Sequence, residues 1–401
     1  MVQSNLTRYN HTKTYLTALG LAFGPAIALG LARFAYALVL PDMKSALSWS
    51  FTTAGIMNTL NALGYLFGAI LASPIDRKLG GRKAFIYATS ITTASILATP
   101  ISANLLLLSL FRLIAGVAGA ITFITGAGLA SELGRRKSPT HSAVILGIYF
   151  SGGGIGIALS GIAIPNLVGS LPAASAWRWS WIILGILALC GLLACIPAAI
   201  ASAELPAVPI GNDNWAKSKL KATISSYALF GVGYIAYMTF IIAYLKNQGA
   251  HSLELSSFWV VLGVSAILAS FTWSKPLELL NGGKGIALVM GVLAIGSMLP
   301  LISNQPLFVF SSAVIFGGTF LSVVTAVTTV ARKTLLPHHW TSAIAVLTIS
   351  FAIGQSLGPV MAGALSNGPT GVRLGLELST VVLALGALVS LAQPHREPIS
   401  E

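Results

Sequence analysis

Two arginines, Arg33 and Arg112, stand inside long apolar stretches of this chain. A charged side chain costs about 2.5–3.5 kcal/mol at the centre of a membrane helix, so neither guanidinium is expected to face lipid. The acidic residues all fall outside these stretches or at their ends, which leaves both arginines without an obvious counter-charge. A guanidinium matches the geometry of a carboxylate or phosphate. The pair therefore predicts a site for a mobile anion; the alternative is that each arginine bonds to backbone carbonyls, amides or hydroxyls.

Polar and aromatic residues at helical spacing are candidates for the lining of such a site. Asn58, Asn61 and Tyr65 are spaced i, i+3 and i+7 and share one helix face. Aromatic residues at this kind of spacing also pack helices together, so packing is the alternative role of the tyrosines. The residues that we expect to bind substrate are Arg33, Arg112, Tyr36, Asn58, Asn61, Tyr234, Tyr237 and Gln355.

Composition places these residues in a membrane protein. Hydrophobic residues make up 55% of the 401-residue chain and charged residues 8%, against about 25% charged in a typical soluble domain. This excludes an ordinary globular enzyme, and we expect no catalytic residues, metal site or cofactor. Apolar stretches of about 20 residues, enough to cross a bilayer, recur along the chain. They predict twelve spans, at about 16–40, 52–75, 84–101, 104–130, 142–168, 179–201, 222–245, 256–274, 285–303, 306–331, 341–366 and 372–392.

The formal net charge of +13 comes from lysines and arginines whose positions indicate how the chain is oriented in the membrane. If the loops alternate sides and the N-terminus lies inside, most of the 23 lysines and arginines fall on the inner side. Only four fall on the outer side, Lys44, Arg178, Lys246 and Arg373. This is the asymmetry of the positive-inside rule, so both termini are predicted to be cytoplasmic. The basic balance therefore does not indicate a nucleic-acid partner.

The chain repeats itself once, at an offset of about half its length. The stretch Pro74-Ile75-Asp76 with Gly80-Gly81-Arg82 is echoed by Pro276-Leu277-Glu278 with Gly282-Gly283-Lys284. At the same offset, Gly152, Gly156 and Gly161 match Gly354, Gly358 and Gly363. Internal repeats of this kind are typical of two-lobed transporters. They predict an N-terminal six-helix lobe at 1–202, a cytoplasmic linker at 203–221 and a C-terminal six-helix lobe at 222–401.

Several motifs resemble the major facilitator superfamily. The run Asp76-Arg77-Lys78-Leu79-Gly80-Gly81-Arg82-Lys83 is similar to the first signature of that superfamily, although Ala72 stands where Gly is usual and the spacing is one residue longer. Arg112 with Gly116 is similar to a second signature, and Gly354-Gln355-Ser356-Leu357-Gly358-Pro359 is common in its eleventh span. The first span, from Gly30 through Arg33-Phe34-Ala35-Tyr36, resembles a poorly characterised bacterial branch.

The resemblance implies an all-α membrane protein with twelve transmembrane helices in two pseudo-symmetric six-helix lobes around a central cavity. Spans 1, 4, 7 and 10 would line that cavity. By the same resemblance, Asp76, Arg77 and Arg82 would form a charge latch between the lobes on the cytoplasmic side, with Glu278 as a weaker copy. The alternative is that this loop only anchors topology.

These observations predict a secondary transporter in the bacterial inner membrane that moves a small solute by alternating access. We expect an organic anion as substrate. The alternatives are a sugar-like or neutral solute, an exporter of lipophilic compounds, and a non-transporting membrane receptor. The expected partners are the small-molecule substrate and the lipid bilayer, and the expected working form is a monomer.

Overall fold

The computed structural model describes residues 2–135, 139–202, 216–336, 339–368 and 370–395. This part of the chain contains twelve helical segments that are long and apolar enough to cross a membrane. In a bilayer every backbone N–H and C=O must be bonded within the protein, and a helix does this inside one segment. The prediction of an all-α membrane protein with twelve spans is confirmed.

The spans are numbered 1 to 12 in chain order, and the first six form the N-terminal lobe. Span 1 is broken into three helical pieces, whereas each of spans 2 to 6 is built on one long helix. The helices are Val2–Pro25, Ala26–Phe34 and Tyr36–Ala46 (span 1), Phe51–Leu79 (span 2), Gly81–Ala98 (span 3), Leu105–Arg135 (span 4), Pro139–Val168 (span 5) and Ala173–Ala201 (span 6).

The other six spans form the C-terminal lobe. Span 10 is interrupted at Leu321, and a short helix, Ser274–Leu279, precedes span 9. The helices are Lys221–Asn247 (span 7), Ser252–Thr272 (span 8), Lys284–Ile302 (span 9), Pro306–Phe320 and Ser322–Thr334 (span 10), Trp340–Ser366 (span 11) and Val372–Leu391 (span 12). Of the predicted linker, 203–215 lies outside the described residues and Lys217–Leu220 forms a 3₁₀ turn. The exact lobe boundaries stay predictions.

Several helices run beyond the apolar stretches that predict them. Span 4 is predicted to end near residue 130 and continues to Arg135, and span 2 continues from about residue 75 to Leu79. A helix needs apolar side chains only where it meets lipid, so its hydrogen bonds continue into polar sequence. Span 2 begins at Ser50, whose hydroxyl accepts from the N–H of Thr53 at 3.0 Å, which satisfies one of the free donors of the first turn.

Each of the repeated loops contains a glycine with a positive φ at the matching position. Gly80 follows span 2 with φ 81°, and Gly282 precedes span 9 with φ 58°. Positive φ is readily adopted only by glycine, so these two positions require the residue that both repeats supply.

The repeated glycines of spans 5 and 11 also make equivalent contacts. Gly152 and Gly156 lie against span 1, and their counterparts Gly354 and Gly358 lie against span 7. The third member of each set packs on the other lobe. Gly161 meets Trp259 of span 8, and Gly363 meets Phe51 of span 2. Glycines of this kind let helix backbones approach closely in a membrane. Spans 5 with 8 and spans 11 with 2 therefore hold the two lobes together.

Candidate functional site

Arg33 stands in a π-helical segment, Ala26–Phe34, in the middle of span 1. The N–H of Ala35 donates to the carbonyl of Gly30, five residues back, at 2.9 Å. Such wide turns are rare, occur mostly as short insertions in α-helices and are frequent at functional sites. Gly30 allows the wide turn to lie against span 5, because a Cβ there would be closer than 3.0 Å to Gly156. The segment presents Arg33 toward the boundary between the lobes.

Across that boundary, the Arg33 Nη2 donates to the Gln355 Oε1 of span 11 at 2.5 Å. The same oxygen accepts from the Tyr234 hydroxyl of span 7 at 3.2 Å. The guanidinium carbon lies 5.3 Å from the centre of the Tyr65 ring and 6.0 Å from that of Phe34. These rings stabilise a desolvated cation without neutralising it.

Two polar atoms at this contact have no hydrogen-bond partner, the Arg33 Nε and the Gln355 Nε2. Both residues are buried, at 3% and 0% exposure. A buried donor without a partner costs about 1–3 kcal/mol. Arg33 and Gln355 together therefore hold unused donors at the centre of the protein, where acceptor atoms of a ligand would satisfy them.

Arg112 lies at the same level but faces its own lobe. Its Nη1 donates to the carbonyl of Ala32, the residue before Arg33. Its Nε and Nη2 reach the Met57 carbonyl and the Asn58 Oδ1, at 3.4 and 3.3 Å. The guanidinium also lies over the rings of Tyr36 and Trp181. These contacts match the alternative in which an arginine bonds to backbone carbonyls and an amide.

Asn58 links this second arginine to the other lobe. While its Oδ1 accepts from Arg112, its Nδ2 donates to the Thr239 hydroxyl of span 7 at 2.6 Å. Thr239 is buried and also donates to the Ile235 carbonyl. Sequence analysis missed Thr239, because a single threonine in an apolar helix forms no polar pattern that would mark it as a site residue.

The remaining residues predicted to line the site, Tyr36, Asn61 and Tyr237, form hydrogen bonds that hold helices together. The Tyr36 hydroxyl donates to the Ala54 carbonyl at 2.8 Å, and the Asn61 Nδ2 donates to the Arg112 carbonyl at 3.1 Å. Tyr237 is 2.5 Å from the Ser312 hydroxyl of span 10 and stacks on Phe316. The structure thus brings Arg33, Tyr234 and Gln355 into one contact and leaves Tyr237 in the packing of spans 7 and 10.

Aromatic rings of the C-terminal lobe form a wall beside Arg33, which we call the aromatic wall. Tyr234 stacks with Phe230, Phe320 and Phe351, at ring-centre distances of 4.8 to 6.2 Å. Phe34, next to Arg33, meets Phe320 edge to face at 5.9 Å. The site is therefore a guanidinium and an amide beside apolar rings. Among the described residues, no group of three His, Cys, Asp or Glu side chains could hold a metal ion.

The sequence of the chain matches a known protein family over almost its whole length. The family model described as "Uncharacterised MFS-type transporter YbfB" matches residues 25–391, almost the whole chain. The chain belongs to this family of the major facilitator superfamily. It is accordingly a multi-pass membrane transporter and not an enzyme.

Curated relatives are similar to this chain at 21–25% sequence identity. The "Uncharacterized transporter mfc1" of Schizosaccharomyces pombe is 25% identical over 320 residues, which is 79% of this chain but only 55% of that protein. The "Uncharacterized MFS-type transporter YceJ" of Bacillus subtilis is 25% identical over 78% of each chain. The "Inner membrane transport protein YdhP" of Escherichia coli K12 is 21% identical over 95% of this chain and 96% of its own length.

Solved structures confirm the fold of this major facilitator protein. A mutant of the nucleoside transporter NupG has a TM-score of 0.73 at 13% identity, covering 94% of this chain and 98% of its own. A bacterial homologue of the lysosomal transporter Spinster, in an inward-facing and unoccupied conformation, has a TM-score of 0.69 at 16% identity and 95% coverage of both chains. The human organic anion transporter MFSD10 has a TM-score of 0.65 at 14% identity, covering 94% and 99%.

In this transporter the lobes are joined on the side where span 1 ends, which is the predicted outer side. Lys246 of span 7 donates to Asp42 of span 1 at 2.7 Å. Asn367, after span 11, accepts from the N–H of Phe51 at 2.9 Å and donates to the Thr52 hydroxyl at 2.6 Å. We call these contacts the outer latch. Sequence analysis did not identify it, because an aspartate and a lysine at the ends of two spans, 204 residues apart, give no local pattern.

Two of the residues predicted to form a cytoplasmic latch, Arg77 and Arg82, each donate a hydrogen bond to a group of their own lobe. Arg77 donates to the Ser73 hydroxyl at 3.0 Å, and Arg82 donates to the Ser202 carbonyl at the end of span 6 at 2.7 Å. Asp76 lies beside the start of span 3, where a Cβ on Gly81 would be 3.1 Å from its Oδ1. In the other lobe the backbone carbonyl of Glu278 accepts from Lys333. A gating role for Asp76, Arg77, Arg82 and Glu278 stays a prediction.

Proposed function

We propose that this transporter is a secondary carrier for a small organic anion, with a carboxylate bound by Arg33 between the lobes. It works by alternating access as a monomer in the bacterial inner membrane, with both termini cytoplasmic. The observation that carries the proposal is the Arg33–Gln355 contact. A buried guanidinium with an unused donor faces a neutral amide oxygen of the other lobe. A substrate carboxylate would displace that amide oxygen and supply the counter-charge.

The position of the contact supports a transport role rather than a purely structural one. Arg33 belongs to the N-terminal lobe and Gln355 to the C-terminal lobe, so an anion bound there touches both. Movement of one lobe against the other then changes access to the anion without moving it far. The close glycine contacts at Gly161 and Gly363 provide surfaces on which the lobes can rock.

The main alternative is a sugar-like or neutral solute. It is favoured by the Arg112 contacts, which use this arginine within its own lobe. The amide and hydroxyl side chains that meet across the lobes near Arg33 are then those of Asn58, Thr239 and Gln355, all of them neutral. The fold does not choose between the two, since both a nucleoside transporter and an organic anion transporter share it. Export of lipophilic cations has less support, because Asp42 and Glu377 are paired with Lys246 and Arg373.

The proposal is tested by a thermal-shift screen of the detergent-purified protein against small carboxylates, phosphates, sugars and lipophilic cations. A ligand that binds only the folded state stabilises it by about 2.7 kcal/mol at a hundredfold excess over its Kd. We expect a carboxylate to raise the unfolding temperature of the native protein and to have no effect on Arg33→Gln. The matched control is Arg178→Gln, which removes one exposed arginine away from the site.

The screen separates the two candidate functions. Stabilisation by carboxylates that survives in Arg33→Gln places the anion elsewhere and overturns the proposal. Stabilisation by sugars alone, equal in the native protein and Arg33→Gln, establishes the neutral alternative. Uptake of the stabilising compound into proteoliposomes then shows that the ligand is a transported substrate.

A further inference from the structure

A groove on the surface of the N-terminal lobe lies between spans 2, 3 and 4. Its volume is about 680 Å³, and its walls include Leu79, Tyr87, Ile91 and Leu113. The first three of these side chains are exposed, at 40%, 55% and 48%. We call it the span 2–4 groove. On a membrane-spanning face such a groove meets hydrocarbon rather than water, so the occupant that fits it is apolar.

Small residues create the groove. Ala72, Ala84, Ala88 and Ile121 form a separate buried apolar cluster at its base. Ala84 and Ala88 are one turn apart on span 3, so their short side chains leave a depression between the larger neighbours. Only two of the lining residues carry a hydroxyl group, Tyr87 and Ser90. The Ser90 hydroxyl already donates to the Ile86 carbonyl. A hydrogen-bonding solute would find little to bind here.

The length of the groove fits a lipid chain. Its lining runs from Ala84 to Ile91 on span 3 and from Leu113 to Ile121 on span 4. At 1.5 Å per residue these stretches are about 11 and 12 Å long. The hydrocarbon of one leaflet is about 15 Å deep, half of the usual 30 Å. A fatty acyl chain could therefore lie along most of the groove.

Positive charges surround the end of the groove on the predicted inner side. Lys78 directly precedes Leu79 of the wall, and Lys83 lies one turn before Tyr87 on the same face of span 3. Both lysines are exposed, and Arg77 is exposed beside them. Between residues 72 and 91 the only acidic residue is Asp76. Basic residues at this depth attract the anionic lipids of the cytoplasmic leaflet.

We propose that the span 2–4 groove binds an anionic phospholipid of the inner leaflet, with an acyl chain along spans 3 and 4 and its phosphate at Lys78 and Lys83. The apolar groove selects the chain, and the two lysines select the charge of the headgroup. The lipid would rest against the loop between spans 2 and 3 and stabilise the lobe at that end.

The test is native mass spectrometry of the full-length protein in detergent, titrated with dioleoyl phosphatidylglycerol or with dioleoyl phosphatidylcholine. The acyl chains of the two lipids are identical, so the comparison isolates the effect of the headgroup charge. We expect phosphatidylglycerol to bind about tenfold more tightly, and Lys78→Gln/Lys83→Gln to lose this preference. The matched control is Lys275→Gln/Lys284→Gln, which removes two exposed lysines beside the equivalent loop of the other lobe.

A second variant tests the groove itself. Ser90→Phe fills it from a half-buried wall position and should weaken the binding of both lipids. The proposal is overturned if the two lipids bind equally to the native protein, or if the control pair loses the preference as fully as Lys78→Gln/Lys83→Gln. It is also overturned if Ser90→Phe binds phosphatidylglycerol as tightly as the native protein does.

Discussion

Arg33 and Arg112 are the same residue type at the same level of the protein, yet their surroundings give them different roles. Arg112 donates to two backbone carbonyls and an amide oxygen of its own lobe. Arg33 has one such contact, with Gln355 of the other lobe, and an Nε without a partner. A guanidinium has five N–H donors, so Arg33 retains capacity for a ligand. At the residue scale, the candidate anion site is therefore Arg33 rather than the pair.

Substitutions of Gln355 test directly whether Arg33 binds the substrate carboxylate. Gln355→Glu places a carboxylate where the substrate carboxylate is expected, so the site should be occupied by the protein's own side chain. We expect this variant to lose anion-induced thermal stabilisation, with affinity at least about tenfold weaker. Gln355→Ala, which leaves Arg33 free, should retain it. Equal anion binding by Gln355→Glu and the native protein would show that Arg33 does not hold the substrate.

At the scale of the element, span 1 shows how a local change of helix type positions a side chain. The π-helical segment Ala26–Phe34 shifts the register of span 1 in mid-membrane. This shift sends Arg33 to Gln355 while the carbonyl of Ala32 faces Arg112. A regular α-helix would direct these groups differently, since each residue of a π-turn covers a smaller angle around the axis.

The repeated glycines provide a prediction about spans 5 and 11. A Cβ on Gly354 would clash with Ala228 of its own lobe, whereas a Cβ on Gly363 would clash with Phe51 of the other lobe. Overpacking of this kind costs about 1–3 kcal/mol. Gly354→Ala should therefore lower the unfolding temperature. Gly363→Ala should instead separate spans 2 and 11 and open the predicted outer side.

Opening of the predicted outer side can be measured in the variant Ala243→Cys, by the rate at which a membrane-impermeant maleimide labels the introduced thiol. Ala243 is buried beside Asp42 and Lys246, and the native Cys190 and Cys195 are first replaced. We expect labelling to rise about tenfold in Gly363→Ala and to stay unchanged in Gly354→Ala. Gly291→Ala is the control, because a Cβ there meets no atom within 4 Å. Equal labelling of all three variants would contradict the assignment.

At the scale of the whole molecule, the outer latch joins the two lobes on the predicted outer side. The Asp42–Lys246 pair joins spans 1 and 7 across the lobes, with the lysine half exposed. Exposed ion pairs contribute about 0–1 kcal/mol, so the latch biases a balance between conformations and does not lock it. Asp42→Asn should increase labelling at position 243 by up to about fivefold, and the exchange Asp42→Lys/Lys246→Asp should restore the native rate.

The pair Arg373–Glu377 is a control for this latch within the same protein. Its members are four residues apart on span 12, both partly exposed, and they join nothing across the lobes. Glu377→Gln should therefore leave labelling at position 243 unchanged. If Glu377→Gln accelerates labelling as much as Asp42→Asn does, the effect comes from charge in general and the outer latch has no special role.

The helices and their order follow from local sequence. A run such as 104–130 is apolar enough to require a membrane, and a continuous apolar run of this length crosses a bilayer as a helix. The repeat is equally readable from the sequence, because Gly80 and Gly282 match at the repeat offset, and both adopt the positive φ that glycine favours. The superfamily and the class of activity also follow from motifs within single spans and loops.

Several features of the candidate site could not be read from the sequence. The sequence predicts Asn58 at the site but gives no signal for its partner Thr239, and Tyr237 bonds to Ser312 away from Arg33. The outer latch between Asp42 and Lys246 was also missed.

Local sequence is enough to place two arginines inside a twelve-span, two-lobed transporter with no carboxylate near them in the chain. That Arg112 bonds within its own lobe and Arg33 reaches the other lobe emerges from the packing of the spans. Hydropathy and backbone bonding act within one segment, whereas the partner of a buried side chain depends on the rotation and register of helices that are hundreds of residues apart.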